Sequence, residues 1–452
     1  MYMNDHIPPE PVLRTVADAP SDVQMRLDAG AILKRFHFLE RALLISTAGW
    51  IPGVLSIEVK ALLARASWQS SLTGHELRER VFELRFPSRL MEAGDDAPLV
   101  RLYEASAHAP SGVALLDALG EVYLPALAEA YEHYLSESDE LADGPTRRFL
   151  TLSAGEKRTL IGEIREAVAL ERLARGDDPD GERDAAAWVA AVAALLDEVG
   201  GVGLDAPPQI DVPRVVAPGR AFSVPAEPGR DHRYFACAFY WPDALDPSLP
   251  APTGAALQLR VAVSHLNEVW AVETAGAMLS ELAEELGWEF LLDAARWTYD
   301  EARHMLMGQR RVESWGLDLA HVPLGRYIYD AVAAGGDPIY RIGMLGFFET
   351  KNIGKKHVRA RAFGEMGDRE SERDMQFDWA DETIHAEYGR RWLKALLERR
   401  GRSGEDYSEV LDECEQLVAA RVARATPAEA AAISECAGRL VEEAQALASA
   451  RA

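Results

Sequence analysis

The sequence predicts an all-α protein built as two helical bundles in tandem. Three observations predict it. Stretches rich in Ala, Leu, Glu and Arg fill most of the 452 residues, with few β-branched runs. Gly and Pro punctuate them only at wide intervals. The chain also repeats itself: LLISTAG (43–49) parallels WAVETAG (270–276), and ASWQSSLTGH (66–75) parallels ARWTYDEARH (295–304) at nearly the same offset.

Residues 1–26 are an N-terminal arm, polar and Pro-bearing, without the basic and apolar regions of a secretory signal. Residues 27–204 carry several amphipathic helices and form the first copy. In the repeat pairing, Ser46 stands where the second copy has Glu273, Leu72 where it has Glu301, and His75 where it has His304. Leu119-Gly120 parallels Leu345-Gly346, with Tyr123 in the place of Glu349. The first copy is thus degenerate, its carboxylates lost; an unrelated helical domain is the alternative. Residues 205–254 read as an extended linker, introduced by a Gly/Pro/Val-rich break at 200–228, and RYFACAFYW (233–241) reads as a short strand or a buried apolar arm. Residues 255–400 are the second bundle. Residues 401–452 hold two more helices, at 405–424 and 427–450, the latter opening on the cap pair Thr426-Pro427.

Composition narrows the function classes. Apolar residues make up 48%, which is ordinary for a globular chain. A net charge of -25 argues against nucleic acid as a partner, because phosphate binding needs concentrated Lys and Arg. No apolar run reaches the length of a membrane span, and the expected compartment is the cytoplasm. Three scattered cysteines, Cys237, Cys414 and Cys436, fit neither a disulfide framework nor a zinc ribbon.

The chemistry concentrates in the second bundle. Asp300-Glu301-Ala302-Arg303-His304 and Asp381-Glu382-Thr383-Ile384-His385 both read Asp-Glu-x-x-His. On a helix, residues three apart lie about 60° apart around the axis, so each Glu and His point the same way and make half of a metal site. Upstream of each motif a Glu interrupts an apolar stripe: Glu273 within Leu266, Val269, Trp270, Gly276, Ala277 and Ser280, and Glu349 within Ile342, Leu345, Gly346 and Ile353. A buried carboxylate must meet a cation. Glu273 and Glu301 each lie 14 residues from the expected turn at Gly287, hence level at roughly 21 Å from it. The midpoint of Glu349 and Glu382 falls between Gly364 and Gly367, and 317–340 is the crossover between the hairpins. Metal ligands are therefore expected at Glu273, Glu301, His304, Glu349, Glu382 and His385. Asp300 and Asp381 are placed to accept the second N–H of a histidine on another helix, with Asp378 also in the outer shell. Trp297, Tyr299 and Trp379 are expected to pack. Of the basic run after Glu349, Lys351, Lys355 and Arg359 are expected to point away from the metals, and His265 and His357 are the remaining histidines near enough to check.

The order Glu, DExRH, Glu, DExxH over about 150 residues resembles the ferritin-like di-iron carboxylate superfamily, which includes oxygenases, oxidases and rubrerythrins. The resemblance implies two iron ions, with manganese as the alternative, and oxygen chemistry. Glu301 and Glu382 would flank the O2 position, with substrate in an apolar pocket near Ala277, Met305 and Phe348. The expected function is an O2-dependent di-iron oxidoreductase acting on a small organic molecule by hydroxylation, N-oxygenation or oxidative cleavage. Its partners would be substrate, O2 and an electron donor, the chain being a monomer or homodimer. Metal storage or peroxide removal is the alternative function, and a metal-free helical scaffold is a third.

Overall fold

The computed structural model describes residues 24–176, 178–214, 216–219, 221–239 and 253–450, and within them the protein is all-α apart from one pair of three-residue strands. The first half holds α1 (Arg26–Trp50), α2 (Ile57–Leu84), α3 (Ala97–Glu104), α4 (Gly112–Ala118), α5 (Leu124–Glu137), α6 (Gly144–Arg175) and α7 (Pro179–Val199). The second holds β1 (Phe235–Cys237), α8 (Gly254–Asn267), α9 (Val269–Leu286), α10 (Trp288–Trp315), β2 (Pro323–Gly325), α11 (Tyr327–Gly335), α12 (Ile339–Glu365) and α13 (Arg369–Arg399). Then come α14 (Tyr407–Val422), against α11 and α12, and α15 (Pro427–Ala450), against α8.

Local chemistry sets the boundaries. The Ser56 hydroxyl accepts from Val59 N at the start of α2, Asp178 from Gly181 N at α7, and Asp368 from Ser371 N at α13. Thr426 and Glu429 exchange hydrogen bonds across the first turn of α15. Gly287, at φ +82°, turns the chain between α9 and α10, and Gly367, at φ +77°, turns it between α12 and α13. The described residues of 200–228 are irregular, opening with Gly200 at φ +87°. Within the 233–241 arm, Phe235–Cys237 pairs in parallel with Pro323–Gly325; residues 240 and 241 lie outside the described residues, as do 1–23 of the arm. The crossover at 317–340 is more ordered than its Gly and Pro suggested, holding β2 and α11.

The repeated segments pack on each other. Helix α1 lies on α9, and α2 on α10. At the first crossing the two Ala-Gly pairs meet. A Cβ on Gly276 would stand 2.5 Å from the Ala48 carbonyl oxygen, and one on Gly49 would stand 2.7 Å from Ser280 Oγ. At Gly276, where the approach is to backbone, only glycine fits. At the second crossing Trp68 stacks on Tyr299 with ring centroids 4.4 Å apart. One apolar core runs from α1 to α15 through these contacts. No helix of the described residues is long and apolar enough to cross a membrane.

Candidate metal centre

Helices α10, α12 and α13, with the joint between α8 and α9, enclose a buried cluster of carboxylates and imidazoles. Its frame is the pair of Asp-Glu-x-x-His turns. Both histidines are fully buried, and each is held by the aspartate of the other motif. His304 Nε2 lies 3.3 Å from Asp381 Oδ2, and His385 Nε2 lies 3.4 Å from Asp300 Oδ2. Arg296 and Arg303 in turn neutralise the two aspartates. With Nε2 given to a carboxylate, each ring turns Nδ1 inward, and both Nδ1 atoms are buried without a hydrogen-bond partner.

Glu301 stands between them. Its Oε1 is 3.1 Å from His385 Nδ1 and its Oε2 is 3.7 Å from His304 Nδ1, so one carboxylate faces both nitrogens. Trp297 donates its indole N–H to Glu301 Oε1 at 3.0 Å and to Glu349 Oε1 at 3.4 Å. Glu349 is 3.7 Å from His385 Nδ1, and Glu382 is 3.7 Å from His304 Nδ1. The ligand atoms of Glu301, Glu349, Glu382 and His385 lie within 4.8 Å of one another; so do those of Glu268, Glu301 and His304, those of His304, Asp378 and Glu382, and those of His265, Glu268 and Asp378. Glu301 and Glu382 thus belong to a group on each side.

Five of the six expected ligands come together. Glu273 does not. It is fully buried on α9, but it faces the first half of the molecule, where Lys60 Nζ is 3.0 Å and Arg230 Nη1 2.5 Å from its Oε1. Its stripe is a core stripe, and its carboxylate does meet cations, but they are side chains. Glu268 takes its place. It sits at the break between α8 and α9, where helical geometry lapses to ψ 0°, and its buried Oε2 is 3.5 Å from His304 Nδ1 with no hydrogen-bond partner. The sequence carries a sign of it, His265-x-x-Glu268, which is the reverse of the Glu-x-x-His motif.

Lys356 is a second residue the pattern concealed. Its ammonium is 2.5 Å from Asp378 Oδ1 and 2.8 Å from Glu382 Oε1. Asp378 binds His265 Nε2 through its other oxygen at 3.1 Å, and Arg311 meets the far side of that ring. His357 is exposed beside Trp379.

The electrostatics follow from the crowding of buried carboxylates. Burial pushes the Glu268 carboxyl up to about 8, and burial with the neighbouring Glu301 charge pushes Glu349 up to about 7. Burial works to lower His304, but Asp378, Asp381 and Glu301 outweigh it and hold the ring at about 10; His385 is raised likewise against its burial. Protons thus offset part of the carboxylate charge within the cluster. Glu268, Glu301, Glu349, Asp378 and Glu382 are five carboxylates, Lys356 offsets one, and two divalent cations would offset the remaining four.

Beside the cluster lies a cavity of about 120 Å³ open to water-sized groups, reaching Glu268, Glu301, Glu349 and Glu382. Trp270, Ile328 and Phe348 form apolar wall, with Lys356 and Arg359 on the α12 side. Phe348 is where the sequence places a substrate pocket. Ala277 instead packs on Val224 and Tyr329, and Met305 is in the main core. Arg359 also departs from expectation. At about 100° per residue it lies only about 80° around α12 from Glu349, on the cavity side.

Residues 242–431, less than half of the chain, match the model of a family described as "Protein of unknown function (DUF455)", and this span contains every residue of the cluster. Comparison with curated proteins finds no match, and neither does comparison with solved structures.

Proposed function

We propose that the protein is a two-metal, O2-dependent oxidoreductase of the ferritin-like di-iron kind, acting on a small organic substrate. The observation that carries the reading is Glu301 set between two buried imidazole Nδ1 atoms that have no hydrogen-bond partner. An unsatisfied buried nitrogen is costly, and two of them sharing one carboxylate have a common explanation in two cations. The oxygen-rich donor set suits iron or manganese.

The residues that would hold the pair are His385, Glu349 and Glu301 with Glu382 on one side, and His304, Glu268 and Glu301 with Asp378 or Glu382 on the other. Iron held there would supply the reduction of O2 and the oxidation of an organic molecule. The chain does the rest. Asp300 and Asp381 keep a proton on each Nε2, so that Nδ1 is the atom each ring would offer a cation. Trp297 fixes the orientation of Glu301 and Glu349. Lys356 balances Asp378 and Glu382, and the Trp270–Phe348 wall limits water at the cavity. Electrons would come from a separate donor or from the substrate.

We also read the first half as a degenerate copy of the second, one residue out of the register expected. Leu72 is exposed and cannot stand for buried Glu301, whereas buried Thr73 can. The same offset pairs Glu40 with Glu268, Ser153 with Asp381 and Lys157 with His385.

Metal analysis of the purified protein, paired with O2-uptake measurements, tests the function. Two iron or manganese ions per chain and uptake that depends on added substrate are expected. A chain that takes up no transition metal sinks the proposal, and large iron loads per assembly would favour storage.

A further inference from the structure

We propose that the cavity takes a small organic carboxylate and that Arg359 binds its carboxylate group, a substrate class resting on the oxidoreductase reading for its chemistry. Arg359 lines the same cavity as Glu301, Glu349 and Glu382. It stands one turn beyond Lys356 on α12 and is only half-buried. Of the cations near it, Lys356 is held by Asp378 and Glu382, Arg311 by Asp374 and His265, and Lys351 by Glu415, whereas Lys355 is exposed and does not line the cavity. Among the described residues Arg359 has no ion-pair or hydrogen-bond partner. In a chain of net charge -25 an arginine without a carboxylate, on the wall of a cavity, is an opening for an anion.

Charge and shape choose the anion. Two divalent cations would bring the five carboxylates and Lys356 to neutrality, which leaves Arg359 as a single surplus charge. One guanidinium presents two parallel N–H donors that match the two oxygens of a carboxylate. A phosphate dianion would keep a negative charge beside an acidic cluster. Trp270 and Phe348, with ring centroids 5.1 Å apart, offer the remainder of the ligand an aromatic surface. At roughly 10–15 Å³ per water-sized group, the cavity holds on the order of ten non-hydrogen atoms. A bound carboxylate at Arg359 would direct its apolar end toward Glu301 and Glu349.

Phenylacetate and its neutral isostere phenylacetamide are suitable probes, followed by ligand-observed NMR on the full-length protein. Phenylacetate should bind about tenfold tighter or more, the worth of a charge-assisted pair. Arg359→Gln should erase that preference and Arg359→Lys should retain part of it, neither changing metal content. Equal binding of the two probes, binding of neither at millimolar concentration, or a preference that survives Arg359→Gln overturns the proposal. Inorganic phosphate displacing phenylacetate at lower concentration would overturn the choice of a carboxylate. Metal analysis of the same samples separates the two claims. An Arg359-dependent preference in a chain that binds no metal removes the oxidoreductase reading alone, whereas two bound metals with no preference remove this one alone.

Discussion

In the first half of the molecule, Glu40 is fully buried, with one oxygen taking the Tyr131 hydroxyl at 2.6 Å and the other the Lys157 ammonium at 2.8 Å, which also reaches Ser70 Oγ at 3.2 Å. In the second half, five carboxylates, two inward-turned imidazole nitrogens and a single ammonium share a comparable space between helices. The first cluster is electrically complete as the chain makes it. On the two-metal reading proposed above, the second would be completed by cations from outside. Both bury charge at a cost, but only the second turns two imidazole nitrogens onto a shared carboxylate, and the proposed metal site rests on that difference.

The comparison breaks most visibly at Glu301. Glu301→Ala should lower metal affinity by more than about 100-fold, since even residues behind the ligands are worth about 10- to 100-fold. The metal-free protein should also melt lower than the parent, because His304 and His385 lose the carboxylate that faces both. Retention of both metals, read by elemental analysis after dialysis, would remove Glu301 from the site. Lys157→Met should change stability alone. It leaves Glu40 buried and unpaired, costing about 3–5 kcal/mol in denaturant unfolding, while metal content per folded chain stays the same. Adding Glu40→Leu should recover most of the loss.

Glu273 sharpens the same contrast, and it shows how far the sequence could be read. Glu273→Gln strips Lys60 and Arg230 of their shared partner, and a loss of about 2–4 kcal/mol with unchanged metal loading is expected. Loss of metal without loss of stability would restore Glu273 as a ligand. The spacing rule that singled out Glu273 reports that a side chain is buried, not which neighbour it is buried against. Here the neighbour is α2, a contact more than two hundred residues distant in the chain. Glu301, His304, Glu382 and His385 were legible because each Glu–His pair is fixed within one turn of one helix. Glu268 was not, because it sits where α8 gives way to α9, and a single helical period carried through that break puts it on another face. Lys356 and Arg359 were hidden among like charges whose angular positions decide everything. The turns at Gly287 and Gly367 were legible from the glycines themselves, whereas, on the pairing proposed above, the repeat was read one residue out of step because its small residues mark a helix crossing.

The outer aspartates test the second cluster more gently. Asp300→Asn keeps the shape at His385 Nε2 but removes the charge that fixes its proton, and a 10- to 100-fold weaker metal affinity is expected. Measured against the matching change at Ser153 in the first half, Ser153→Ala, which should leave metal binding untouched, it shows whether the offset pairing has any functional content.

The smallest effect, and the most diagnostic, is the pH dependence of the metal-free protein. Glu349 and Glu268 are raised to about 7 and about 8, and His304 to about 10, all above the values these groups have in an unfolded chain. A group whose folded pKa is raised holds its proton more tightly when folded. Its contribution is full below the unfolded pKa and is lost as pH rises through the folded one. Chelator-treated protein should therefore lose stability steadily between pH 6 and pH 9, as Glu349 and Glu268 titrate, with the His304 contribution fading on toward pH 10. The carboxylates held low, Glu301 and Asp378, titrate in acid and leave that window alone. Bound cations would displace the same protons, so the loaded protein should show a flatter profile and a metal affinity that climbs with pH across the same interval. Thermal melts with and without chelator measure both. A metal-free profile that is flat from pH 6 to pH 9 would mean that the cluster's charges are already balanced, as those around Glu40 and Lys157 are, and the distinction between the two halves would be lost.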